Sequence, residues 1–124
     1  MSKFIRGGVP RDFNYAGIDL HPAEGETVTY MLSGRGGPVH LAGDLDIYKE
    51  SSPFLGGVNQ TVSVSDDEFK TLVDAQGSGE LQTGYFTTAA GVTFNIFGGI
   101  GNDGALELDN GTVALEIRGK VEEQ

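Results

Sequence analysis

Cysteine is absent from this chain of 124 residues, and so is tryptophan. Without cysteine there is no disulfide, no thiolate nucleophile and no thiolate metal centre. The absence suits a reducing cytoplasm, or a particle assembled there. Positive charge is scarce: 8 Lys and Arg stand against 18 Asp and Glu, a formal charge of -10. Such a surface repels phosphate, which argues against ordinary nucleic-acid binding. The same charge suits solubility, or a wall along which DNA slips without sticking. No apolar run has the length of a membrane span, and Met1–Pro10, with Lys3 and Arg6, lacks the apolar centre of a signal peptide. The expectation is a protein made and kept soluble, with no membrane partner.

What the chain has in excess is glycine, 20 of 124 residues, dispersed without a three-residue period. Placed between β-branched runs, dispersed glycine marks turns and bulges rather than collagen. The length fits one domain spanning 1–124. Residues 1–11 read as a flexible, basic N-terminal arm. Phe13, Tyr15, Ile18 and Leu20 alternate loosely as a first strand, with Gly17 as a bulge and His21-Pro22 as its end. Val28, Tyr30 and Leu32 alternate with Thr27, Thr29 and Met31 as a second. Val58, Gln60, Val62 and Val64 make a third.

A helix follows at once. Ser65 is a good N-cap, Glu68 completes a capping box, and Asp66 and Asp67 fall in the first turn, where the helix dipole favours acid. Phe69, Leu72 and Val73 form an apolar stripe, and Gly77 supplies the stop. Leu81 to Thr88 and Val92 to Ile96 then read as a hairpin closed at Ala89-Ala90-Gly91. Gly98 to Gly104 reads as a glycine-rich break. Asp109-Asn110-Gly111 is a strong hairpin turn leading into a last strand, with Val113, Leu115 and Ile117 inward. One short helix cannot cover both faces of a sheet. The expected fold is therefore mainly β: an antiparallel β-sandwich or open barrel with one short α-helix and a long inter-strand loop.

That loop, 33–57, carries Gly34, Gly36, Gly37, Pro38, Gly43, Pro53, Gly56 and Gly57. It is long for an idle connection and too apolar, through Leu41, Leu45, Ile47, Tyr48, Phe54 and Leu55, to rest in water. Those six residues are the candidate assembly contact, in a segment expected to order against a neighbour. Catalysis is not expected. His21 and His40 have no nucleophile motif beside them, and capping accounts for the carboxylates of Asp66, Asp67 and Glu68. Asn102-Asp103-Gly104 and Asp109-Asn110-Gly111 lack the ligand spacing of a calcium loop. Asp44, Asp46 and Glu50 match no metal-site spacing, and neither Gly34–Gly37 nor Gly98–Gly101 is followed by the Lys-Ser/Thr of a phosphate loop. No cofactor and no metal are expected.

The run VNQTVSVSDDEFKTLVDAQGSGELQTGYFTTAAGVTFNIFGG, followed by GTVALEIRGKVEE, places an acidic capped helix after a polar strand and a Gly-Thr-Val strand after an Asp-Asn-Gly turn. This pattern and the order of elements from Phe13 to Glu123 resemble the phage tail tube protein family, the contractile-tail type more closely. The resemblance implies a β-sandwich subunit in stacked hexameric rings, with double-stranded DNA passing through the lumen during ejection. The long loop would reach the neighbouring ring. It further implies tail sheath, tape measure and baseplate proteins as partners, and a place in the virion tail after assembly in the host cytoplasm. Two other classes stay open: a phage head decoration or cement protein, and a ligand-binding β-sandwich. The second is weakened by the lack of tryptophan for an exposed sugar platform.

Overall fold

The computed structural model describes residues 5–36, 39–42, 46–49, 52–102, 104 and 106–124, with side chains outside 34–54. The elements in chain order are β1 (Ile5–Arg6), β2 (Asp12–Tyr15), β3 (Ile18–Asp19), β4 (His21–Pro22), β5 (Thr29–Met31), β6 (Gly34–Gly36), β7 (Val39–Ala42), β8 (Asp46–Lys49), β9 (Ser52–Phe54), β10 (Gly56–Ser63), α1 (Asp66–Ser78), β11 (Gln82–Thr87), β12 (Thr93–Ile100) and β13 (Thr112–Glu123). The protein is mainly β, with an antiparallel sheet of nine strands and one helix.

The sheet runs β1-β5-β10-β13-β12-β11-β2-β3, with β4 also on β10. It rolls over on itself without closing. Residues 18–22 link its two ends: Ile18 and Asp19 pair with β2, and two residues further on His21 and Pro22 pair with Ser63 and Val62 of β10. The strict alternation of β13 explains how the roll is filled. Val113, Leu115, Ile117 and Val121 point inward and are buried, while Ala114, Glu116, Arg118 and Lys120 point outward. Tyr30 of β5 reaches across the interior to Phe94 and Phe86, with ring centroids 4.7 and 5.3 Å away, a separation typical of packed aromatic pairs.

The helix closes this core. Ser65 Oγ accepts from the backbone N–H of Glu68, whose Oε1 accepts from the N–H of Ser65, so the capping box is complete. Leu72 is fully buried and Phe69 packs beside the core, but Val73 is exposed. The helix also runs past Gly77 to Ser78 and stops at Gly79, which takes the left-handed conformation at φ 69°. Gly77 has no neighbour to avoid and simply continues the helix.

Three segments differ from the sequence reading. Phe13 to Leu20 is not one strand: Ala16 and Gly17 both have positive φ, 56° and 80°, and turn β2 into β3. The expected flexible arm at 1–11 is not free over 5–11. β1 pairs with β5, Gly7 N–H donates to Val28 O at 2.8 Å, and Arg11 N–H donates to Thr87 O at 2.8 Å. Residues 1–4 lie outside the described residues.

The third difference is the expected break at 98–104, whose first residues, Gly98 to Ile100, belong to β12. Gly98, Gly119 and Gly56 stand side by side on β12, β13 and β10. A methyl group on Gly98 would meet the carbonyl oxygen of Arg118, one on Gly119 that of Phe97, and one on Gly56 that of Met31. Along this row, a crease of close backbone approach, there is no room for a side chain, which requires glycine. Past Ile100, Asn102 continues the pairing with its side chain, donating to Ala114 O at 2.8 Å and accepting from Glu116 N–H at 2.9 Å. That accounts for Asn102 without a metal.

Candidate functional site

The largest departure from the sequence reading concerns 33–57. Its described residues, 34–36, 39–42, 46–49 and 52–54, are paired strands rather than loop. Asn59 pairs with Thr29, Gly57 with Met31, Gly34 with Phe54, Gly36 with Ser52, Val39 with Lys49 and Ala42 with Asp46. Every one of these pairs keeps the same register. β5-β6-β7 and β8-β9-β10 are thus two sides of one antiparallel ribbon that starts in the body sheet. Among the described residues, β6 makes extensive contact with β9 and β7 with β8, and none of the four with a strand of the body. Pro53 is tolerated because a two-stranded ribbon has a free edge on each side.

The six candidate contact residues fall as follows. Leu41 pairs with Ile47, and Tyr48 with His40, near the far end of the ribbon. Phe54 pairs with Gly34 near its root. Leu55 is 68% exposed at the root itself. Leu45 lies outside the described residues, as do Asp44 and Glu50 of the carboxylate trio. The register therefore pairs Leu41 with Ile47, sets Tyr48 in the next pair of the ladder, and leaves Phe54 and Leu55 at the other end.

A second surface was missed by the sequence reading. On the outward face of β11, β12 and β13, Leu81, Tyr85 and Phe97 are 54%, 39% and 46% exposed. Phe97 pairs with Thr83 on one side and Lys120 on the other, so no bulky apolar neighbour covers it in the sheet. A cleft of about 460 Å³ lies there, lined by Thr83, Gly84, Asn95, Phe97, Lys120 and Glu122. Lys120 and Glu122 form an exposed ion pair of 3.5 Å at its rim, weak in water. The signal was present in the alternation: Phe97 falls out of phase with the inward Phe94 and Ile96.

Next along β13, Arg118 lies in a trough between Gly57 and Gly101. It donates to Asn59 Oδ1 at 2.8 Å and approaches Glu116 at 3.7 Å. His21 sits at an exposed strand end and shows no such network among the described residues. No group of three or more His, Asp or Glu side chains among the described residues could hold a metal ion. No helix there is long and apolar enough to cross a membrane. The chain matches no protein-family model, no curated protein and no solved structure.

Proposed function

We propose that the chain is a structural, non-enzymatic subunit of a phage tail tube, assembling with itself into stacked rings around a DNA channel. The observation that carries this reading is the arm. Two strand pairs, β6 with β9 and β7 with β8, continue the register of the body sheet, and among the described residues they make extensive contact only with each other. Isolated two-stranded ribbons are marginal in water, so a ribbon with Leu41 opposite Ile47 at its far end calls for another protein surface. The net charge of -10 suits a wall that repels the DNA passing it. The hexameric ring, the virion location and the sheath, tape measure and baseplate partners rest on the resemblance of the helix-and-hairpin pattern to the tail tube family.

The test compares the full chain with a variant in which residues 35–53 are replaced by Asn-Gly, closing the ribbon at the Gly34–Phe54 pair. Sedimentation of the full chain should show assemblies that grow with concentration. The shortened chain should keep the same thermal midpoint and stay small. A full chain that remains monomeric at every concentration would defeat the proposal.

A further inference from the structure

The ladder along β10 is interrupted at one place. β10 pairs with β5 as far as Asn59 and with β4 from Val62 onward. Beside Gln60 and Thr61 a groove of about 490 Å³ opens. Glu26 and Thr27, which lead into β5, form one wall; Ala114 and Glu116 of β13 form the other. β10 lies between them, so the walls stand two strand spacings apart, about 10 Å. Gln60 is the unusual residue here. Val58 and Val62, in phase with it on β10, are buried, as is Leu115 opposite, and Gln60 itself is 2% exposed. Its Nε2 donates to Thr61 O at 2.7 Å and to Glu26 O at 3.3 Å, which sets the amide against the Glu26 wall. Its Oε1 accepts no hydrogen bond, alone among the buried side-chain polar atoms of the described residues. A buried acceptor without a donor is costly, and an aliphatic residue would fill the position without that cost. Glutamine there offers an acceptor to a donor from outside the chain.

The charge of the groove selects the donor. Glu26 and Glu116 are the charged residues that line it, with no Lys, Arg or His. Arg118 approaches Glu116 at 3.7 Å, while Glu26 has no ion pair among the described residues. The hydroxyls of Thr27, Thr29 and Thr61 add acceptors, and Ala114 and Leu115 add an apolar strip. No group of three or more His, Asp or Glu gathers here to hold a metal ion. Two carboxylates on opposite walls with an apolar strip between them match a positive charge at each end of a short alkyl chain. We propose that this groove binds a short aliphatic diamine, with one ammonium at Glu26 and Gln60 and the other toward Glu116. An ammonium carries three donors, enough for the Glu26 carboxylate, Gln60 Oε1 and a threonine hydroxyl together. The site goes beyond the tail tube reading and does not depend on it.

Isothermal titration of the purified full chain with putrescine, at low and fixed ionic strength, tests this. The expected result is saturable binding of one putrescine per chain. Glu26→Gln and Gln60→Leu should each weaken it at least about tenfold, because each removes a hydrogen bond to a charged group. Butylamine, with a single ammonium, should bind at least about tenfold more weakly than putrescine, having lost one charged end. Glu26 is exposed, so Glu26→Gln should fold as the natural chain does, and it decides alone if Gln60→Leu does not fold. A chain of net charge -10 also attracts cations diffusely. Equal binding by the natural chain and Glu26→Gln, butylamine as tight as putrescine, or magnesium chloride as tight as putrescine at the same ionic strength would show that attraction alone and overturn the site. Titration without saturable heat from putrescine would overturn it as well.

Discussion

Tyr15 donates a hydrogen bond of 2.7 Å from its phenol to the carbonyl oxygen of Gly98, 83 residues away in the chain. It ties β2 to the glycine crease of β12 through the interior. Removing the hydroxyl leaves a buried carbonyl short of a donor, so Tyr15→Phe should cost about 1 kcal/mol. Burial pushes the Tyr15 phenol from 10 up to about 12. Between those values the unfolded chain releases the proton while the folded chain keeps it. The folded state then binds more protons, so stability falls as pH rises. The Tyr15 contribution is full below pH 10 and lost on approach to 12. Urea midpoints at pH 8 and pH 11 should fall more for the natural chain than for Tyr15→Phe. Equal falls would mean the phenol is not shielded.

The glycines should divide sharply by position. Gly119→Ala must force apart the backbones of Phe97 and Gly98 and should cost about 3 kcal/mol or more. Gly77→Ala adds a methyl into open space on an exposed helical turn and should stabilise by about 0.5–1 kcal/mol. Thermal unfolding of the two variants checks both signs. Similar effects from both would mean there is no crease.

For the helix, Ser65→Ala removes the acceptor for Glu68 N–H and should cost about 1 kcal/mol. Leu72→Ala empties a fully buried site and should cost about 2–5 kcal/mol. Val73→Ala, on the exposed side, should change stability by less than about 0.5 kcal/mol. Chemical denaturation ranks the three.

How much of this could be read from the sequence follows from how local each signal is. The capping box from Ser65 to Glu68 is a contact within one turn, so three residues were enough to place the helix. The alternation of Val113, Leu115 and Ile117 likewise gave the last strand. The Asn110-Gly111 turn, with φ 52° and 77°, could be read from two residues. The crease could not. Gly98 and Gly119 require glycine because the backbones of paired strands approach closely there, and on their own they look like a loop. The arm was hidden for a similar reason: Gly34, Gly36 and Pro53 mimic a linker, and only the register inherited from Thr29 and Asn59 makes them a ribbon. Local turn chemistry places the helix stop at Gly77, two residues early, because both glycines satisfy it and only Gly79 takes the left-handed conformation.

The exposed face around Phe97 should tolerate a change of charge and size without loss of fold. Phe97→Asp changes a side chain that is 46% exposed, so its unfolding free energy should stay within about 0.5 kcal/mol of the natural chain's. A large loss of stability would place Phe97 in the core instead.

The central claim is self-assembly into a tube, and negative-stain electron microscopy of the purified full chain at rising concentration tests it most directly. The account predicts rings that stack into hollow tubes, with single rings or separate subunits when residues 35–53 are replaced by Asn-Gly. Solitary particles of monomer size at all concentrations, or tubes of unchanged length from the armless chain, would contradict it.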